Sequence, residues 1–296
     1  MLGIILLTLL ASVFLYTYVE KLRYSTNASA TTVALLATYL VLGVFGGNFN
    51  KLGFSQYEIL VFNAWEDRAV YRCGKLNRIF NPTSDICRLG DELNGDRVLL
   101  LGNSHADSIK IAFQESMEER GLTTFFWVAN NPLMSSSQNA NRVFDEVVEN
   151  GINTVVIHYS PSFYNNDVRQ IEMTSFVDLM DDNNISVQFL APVPVYEYHI
   201  PKAMIELIRE PSYQLTSVNY ESYQLTAQSF YKFISENNIS SERVFYPHEI
   251  FCSEGECEYQ KDGIPYYFDS VHLTLTGAEK MKPLFNEIAV QMGSRR

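Results

Sequence analysis

The stretch "RVLLLGNSHADSIKIAFQESMEERG" (97–121) decides the fold. Its first part, "RVLLLG" (97–102), is a short apolar run of the kind buried in the middle of a parallel sheet. Its last part, "DSIKIAFQESMEERG" (107–121), is amphipathic and stops at a Gly, which reads as a helix. Between them the chain turns through Asn103, Ser104 and His105. Ser104 has two readings there. It is either the N-cap of the helix, a position that serine favours, or a nucleophile at the carboxyl end of a strand, where ligands collect in parallel sheets.

The same alternation continues along the chain. "TTFFWVA" (123–129), "NTVVIHYS" (153–160), "SVQFLAPVP" (186–194) and "RVFYPHE" (243–249) are further strand candidates. "ANRVFDEVVENG" (140–151), "VRQIEMTSFVDLMDDNN" (168–184) and a long region over 203–237 carry helical patterns. Strands alternating with helices predict an α/β domain over 96–296, with a mostly parallel sheet covered by helices on both faces. Residues 49–95, with Gly, Asn, Pro and the first pair of cysteines, read as an irregular lead-in.

A length of 296 residues fits one sizeable domain and something extra. The net charge of −12, with no run of Lys or Arg, argues against nucleic acid as a partner. An apolar content of 47% and an aromatic content of 13% mark a packed chain rather than a disordered one.

Residues 1–48 differ from the rest. "LGIILLTLLASVFLYTYV" (2–19) and "TTVALLATYLVLGVFGG" (31–47) carry no charge. Each is long enough to cross a bilayer as a helix, the second near the lower limit of about 17 residues. Lys21 and Arg23 lie between them, and the positive-inside rule puts that loop in the cytoplasm. Both chain ends, and everything after about residue 50, then face the periplasm, with the chain held in the cytoplasmic membrane. A cleaved signal peptide is the first alternative, with "ASA" (28–30) as its cleavage site, but no basic residue precedes the apolar run. Buried core helices are the second, and the lack of a polar face speaks against them.

The four cysteines fall into two local pairs, Cys73 with Cys87 and Cys252 with Cys257. Four cysteines allow three connectivities, and a loop such as "CSEGEC", with Gly and polar residues, favours local bridges. Disulfides suit an exported domain; four free thiols would suit a cytosolic one.

A serine nucleophile needs a base, and the base needs a group that fixes its tautomer. Five histidines are present: His105, His158, His199, His248 and His272. Only His272 follows an Asp by three residues in a loop before a final helix, in "YYFDSVHLTLTGAEKM" (266–281). An Asp269 carboxylate can then meet Nδ1 of His272 and leave Nε2 to face Ser104. Thr276 and Gly277 would open the last helix. His158, at a strand end, is a candidate for lining the site. His105 reads as a local hydrogen-bonding partner, and His199 and His248 lack a matching context. No cluster has zinc-ligand spacing and no Gly-rich phosphate loop occurs, so neither a metal nor a nucleotide cofactor is expected.

"LLLGNSHADS" (99–108) and "YYFDSVHLTLTGA" (266–278) together resemble the first and last sequence blocks of the SGNH hydrolase superfamily. Within it they are most similar to the SGNH domain fused to the C-terminus of bacterial membrane acyltransferases of family 3. Gly102, Ser104 and His105 match the first block; Asp269, His272, Leu273, Gly277 and Ala278 match the last. The cysteine pair before the final block and "APVP" (191–194) fit the same subfamily. "LYTYVEKLRY" (15–24) is similar to the end of a late transmembrane helix in these acyltransferases.

The resemblance implies a three-layer α/β/α, flavodoxin-like SGNH domain preceded by two transmembrane helices. It implies that Ser104 attacks an acyl carbonyl, that His272 is base and then acid, and that Asp269 orients His272. The acyl group, acetyl by resemblance, would pass to a hydroxyl of a cell-surface polysaccharide such as lipopolysaccharide O-antigen. The donor would come through a membrane acyltransferase domain, so a partner subunit, or a longer chain of which this is the end, is implied. A stand-alone periplasmic carbohydrate esterase and a catalytically idle glycan-binding module are the alternatives. Two positions depart from the pattern. Asn103 stands where the subfamily carries Asp. "HYSPSFY" (158–164) stands where the third block should be, without its Gly-x-Asn. Gly102, Asn103, Asn130, Asn131 and His158 are therefore the candidates for oxyanion or substrate contacts.

Overall fold

The computed structural model describes residues 12, 13, 16, 17, 37–39, 53–74, 79, 84–129, 132–210, 212–215, 217–253 and 255–293. Residues 1–55 and 56–296 form separate compact units. The two apolar segments, 2–19 and 31–47, lie almost wholly outside the described residues. Among the described residues no helix is long and apolar enough to cross a membrane.

In the second unit, helix α1 (Gln56–Asn63) precedes a six-stranded sheet made of β1 (Ile86–Leu89), β2 (Arg97–Gly102), β3 (Thr123–Trp127), β4 (Thr154–His158), β5 (Ser186–Leu190) and β6 (Val244–Phe245). The helices between and after the strands are α2 (Ser104–Glu118), α3 (Ala140–Glu149), α4 (Asp167–Asp182), α5 (Ile200–Arg209), α6 (Tyr220–Glu236), α7 (His248–Phe251), α8 (Leu275–Glu279) and α9 (Lys282–Gly293). The sheet order is β1-β3-β2-β4-β5-β6. Strands β2 to β6 pair in parallel, and β1 runs antiparallel to β3 at the edge.

The apolar runs of the strands are split by the pleat between two cores. Val98 and Leu100 of β2, with Val156 and Leu190, pack against Ile109 and Phe113 of α2 and Phe285 and Ile288 of α9. Leu99 and Leu101, with Val155, Ile157 and Phe189, pack against Val143 of α3, Phe176 of α4 and Phe230 and Phe233 of α6. The result is an α/β/α sandwich with a mostly parallel sheet. From β2 the chain moves outward to β3 and then returns past β2 to place β4. The strand order thus reverses between β2 and β4, and the carboxyl end of that pair is where an open α/β sheet leaves a crevice for ligands.

Several local features differ from the sequence reading: helix α1 lies within the stretch taken as irregular, and of the strand candidate over 243–249 only Val244–Phe245 is strand, with α7 beginning at His248. Strand β1 arises within the stretch taken as irregular; Cys87 inside it is bonded to Cys73, which ties the lead-in to the sheet edge. The helical region over 203–237 is two helices, α5 and α6. Glu210, which precedes Pro211, is extended at φ −126° and ψ 93°, as the proline ring demands of its predecessor. Finally, Thr274 opens the last helical region: its side chain caps α8 by accepting from the Gly277 N–H. Thr276 instead holds the Asp67 carboxylate through its hydroxyl at 2.7 Å and its N–H at 3.2 Å. Asp67 also accepts the Leu275 N–H on its carbonyl at 2.9 Å. The lead-in is thereby fastened to the segment that follows His272.

Candidate active site

The turn after β2 contains two good capping residues in a row, and the backbone chooses between them. Asn103 is extended and serves as the N-cap of α2, its side-chain oxygen accepting from the His105 N–H. Ser104 is therefore the first helical residue, and its hydroxyl is released from capping. It also sits in the helix's first turn, whose N–H groups have no carbonyl of the preceding turn to pair with and carry the positive end of the helix dipole.

His272 reaches Ser104 from a loop that is pinned at both ends. Tyr267 and Leu273 form an antiparallel bridge, and the Phe268 N–H donates to the His272 carbonyl at 3.1 Å. Inside that loop Oδ1 of Asp269 accepts the backbone N–H groups of Val271 and His272, both at 2.8 Å. Oδ2 accepts from Nδ1 of His272 at 2.6 Å. Nε2 of His272 lies 2.7 Å from Oγ of Ser104. Burial by itself would push the Asp269 carboxyl up. The hydrogen bond from the His272 ring and those from the two backbone N–H groups outweigh it and hold the carboxyl below its ordinary range. Asp269 is thus ionised at neutral pH and accepts from a protonated Nδ1, which leaves the Nε2 lone pair for the Ser104 proton. Phe268 stacks on the His272 ring at 5.4 Å with an interplanar angle of 8°, and Trp65 meets Phe268 edge-on at 6.0 Å.

The other predicted site residues are placed as follows. Gly102 is buried at the end of β2, where a Cβ would lie 1.9 Å from the His158 carbonyl oxygen. His158, wholly buried at the end of β4, hydrogen-bonds the Leu190 carbonyl through Nδ1 at 3.1 Å. Neither lines the cavity at Ser104. Asn103 is turned toward Ser160: its Nδ2 donates to Ser160 Oγ at 2.8 Å. His105 is buried with its ring 5.1 Å from that of His272. His199 caps α5, and His248 packs among Tyr220, Tyr223 and Tyr246. Asn130 and Asn131 lie outside the described residues. Among the described residues no group of His, Cys, Asp and Glu is arranged to hold a metal ion. Both predicted disulfides, Cys73–Cys87 and Cys252–Cys257, are formed.

A cavity of about 470 Å³ opens at Ser104 and His272, within the usual size of a small-molecule site. Ser160, Ser162 and Asn165, from the chain leaving β4, form one wall; Leu225, Thr226 and Ser229 of α6 form another. Ser160 and Ser162 of the first wall fall in the stretch 158–164 that the resemblance set against the third block, whereas the second wall was not legible, since nothing in the sequence marks which residues of α6 face the end of β4.

Burial pushes the His158 imidazole down to about 4, against the partial support of the Leu190 carbonyl. His105 moves in the same direction, by burial and then by the nearby His158 and His272. The folded chain therefore refuses protons that the unfolded chain accepts. The stability due to neutral His158 is whole above pH 6.5 and is lost as the pH falls toward about 4, at a cost of about 3 kcal/mol over that range. The melting temperature is expected to drop steadily between pH 7 and pH 4.5, and His158→Gln, which keeps a donor for Leu190, is expected to flatten that slope. An unchanged slope would assign the acid sensitivity to other groups.

A doubly wound sheet with a serine at its switch point places the chain in the flavodoxin-like class of three-layer α/β folds. More particularly, the chain belongs to the SGNH family, in the form whose domain is fused to AT3 domains; the sequence model of that family matches residues 72–287. In fold the chain is similar to the periplasmic domain of a lipopolysaccharide acetyltransferase from Salmonella ser. Paratyphi A. That likeness has a TM-score of 0.52 at 14% identity and covers 81% of this chain and 98% of that one. It is more distantly similar to a lipase/acylhydrolase from Enterococcus faecalis, with a TM-score of 0.40, 11% identity and coverage of 68% and 97%. A catalytic mutant of an acetylxylan esterase from Geobacillus stearothermophilus gives 0.39, 12%, 66% and 94%. No curated protein matches the chain in sequence.

Proposed function

We propose that the chain is a membrane-tethered, extracytoplasmic O-acyltransferase that moves an acetyl group onto a hydroxyl of a cell-surface polysaccharide through Ser104, His272 and Asp269. The observation that carries this reading is the unbroken chain Asp269 Oδ2 to His272 Nδ1 at 2.6 Å and His272 Nε2 to Ser104 Oγ at 2.7 Å, at the mouth of a cavity. Membership of a family fused to AT3 domains supports a membrane acyltransferase domain as the source of the acyl group. The two apolar segments of the N-terminal part and the two disulfides support the tether and the periplasmic site.

In this mechanism Ser104 Oγ attacks the acyl carbonyl while its proton passes to Nε2 of His272, and Asp269 stabilises the imidazolium that results. The tetrahedral intermediate collapses as the bond to the donor oxygen breaks and His272 returns its proton to that oxygen. An acyl ester on Ser104 remains. A sugar hydroxyl then attacks the acyl carbon and gives its proton to His272; the bond from that carbon to Ser104 Oγ breaks, and His272 returns the proton to Oγ, which restores Ser104. Water in place of the sugar gives an esterase by the same steps.

A fluorophosphonate probe is expected to modify Ser104 of the purified chain, and Ser104→Ala is expected to remain unlabelled. Peptide mapping that places the label on another serine would sink the assignment. With an acetylated donor and a sugar acceptor together, acetylated sugar indicates transfer and free acetate indicates hydrolysis.

A further inference from the structure

Acyl transfer builds a negative charge on the carbonyl oxygen, and the rate depends on donors aimed at that oxygen before the reaction starts. The Ser104 N–H, in the first turn of α2, is one such donor. The opposite side of the crevice is the chain leaving β4, whose residues also line the cavity and can supply a second. Gly102 and His158 are register partners across β2 and β4. Ser104 and Ser160 each follow two residues later, just beyond the carboxyl ends of these neighbouring strands, and both line the same cavity.

The contacts of Asn103 decide how the Ser160 hydroxyl is oriented. Its Oδ1 faces two backbone N–H groups, those of His105 at 3.0 Å and Ser160 at 3.3 Å. Both groups can only donate, so the oxygen of the carboxamide is fixed on that side. Its Nδ2 must then face Ser160 Oγ, to which it donates at 2.8 Å. A hydroxyl that accepts from an amide keeps its own hydrogen for another partner. Ser162 Oγ is in reach of it at 3.0 Å, and so is the cavity that both serines line. A carboxylate at position 103 would act in the opposite sense. It has no hydrogen to give, and would draw the Ser160 hydrogen toward itself and away from the cavity.

Resting on the acyl-transfer reading, we infer that Ser160 is a catalytic residue whose hydroxyl, oriented by Asn103, hydrogen-bonds the developing oxyanion together with the Ser104 N–H. Asn103 is the positioning residue that makes this possible. No proton leaves Ser160 in the step. The bond from Ser104 Oγ to the acyl carbon forms, the carbonyl π pair moves onto oxygen, and Ser160 and the Ser104 N–H donate to it. When the intermediate collapses, that pair re-forms the carbonyl, the bond to the leaving oxygen breaks, and His272 supplies the proton.

The test uses the purified full-length chain and p-nitrophenyl acetate, with labelling of Ser104 by a fluorophosphonate as a separate readout. Ser160→Ala is expected to lower kcat about 10²-fold with little change in KM, and Ser160→Thr to restore most of it. Asn103→Asp, close to isosteric, is expected to lower kcat in the otherwise native chain but to add little in a Ser160→Ala background, since both changes remove the same donor. Melting curves of each variant separate a lost donor from a lost fold. Wild-type kcat in Ser160→Ala overturns the inference, and so does an Asn103→Asp effect of equal size with and without Ser160, which would mark plain charge repulsion. If the native chain neither labels at Ser104 nor turns over, the acyl-transfer reading itself has failed and this inference falls with it.

Discussion

Asp269→Asn is expected to lower kcat for ester cleavage about 10⁴-fold while leaving the melting temperature close to that of the native chain. The size follows from which oxygen does what. Oδ1 of Asp269 accepts two backbone N–H groups, from Val271 and His272, and these cannot reverse their role. The oxygen of an asparagine would be held on that side, so its NH₂ would be turned to Nδ1 of His272. Donor would then face donor unless His272 changes tautomer. With Nδ1 unprotonated, the ring proton sits on Nε2 and points at Ser104 Oγ, 2.7 Å away. The group that should take the serine proton would instead carry one. Binding and any oxyanion donors survive, so the loss belongs to kcat rather than KM. Steady-state kinetics with p-nitrophenyl acetate and the rate of fluorophosphonate labelling report on it together. A loss smaller than tenfold would show that Asp269 does not set the tautomer of His272, and the mechanism above would lose its base.

The same residues show what was legible in the sequence. "RVLLLG" could be read as a strand because an unbroken apolar run has no other stable place than between two helix layers, and Val98 to Leu101 are all wholly buried. The Asp269–His272 pairing could be read because a spacing of three on a turn is a local constraint. Strand β1 could not, because "ICRL" (86–89) is short and interrupted by an arginine at a sheet edge, where one side faces solvent. The cap of α2 could not be settled either. Asn103 and Ser104 are both good caps, and only the extended backbone at Asn103 frees the serine. Ser160 was missed for a different reason. Its place beside Ser104 depends on the register of β2 with β4, a contact between residues far apart in the chain that no local pattern encodes.

Among the described glycines, Gly102→Ala brings an added Cβ nearest to a backbone atom and is expected to be strongly disruptive. A Cβ there would sit 1.9 Å from the His158 carbonyl oxygen and 2.8 Å from the Ala106 Cβ. The first obstacle is backbone and belongs to a parallel ladder partner, so it can retreat only if β2 and β4 part at their carboxyl ends. The second is the first turn of α2, the turn that carries Ser104. Relief in either direction moves Ser104 away from His272 or from Ser160, so stability and activity should fall together. A loss above about 4 kcal/mol is expected, beyond the range of ordinary substitutions, and urea unfolding followed by circular dichroism measures it. Gly121→Ala provides the contrast. Gly121 has φ +73° and no atom within 4 Å of an added Cβ, so only backbone strain of about 1–2 kcal/mol applies. Gly102 has no positive φ, so if the two variants melted alike the added Cβ would have been accommodated at little cost, and the close approach of β2 to β4 would not be what holds Ser104 in place. A Gly102→Ala chain that is folded but silent would say more: that the methyl displaces Ser104 by enough to break its 2.7 Å contact with His272 while the six strands stay paired.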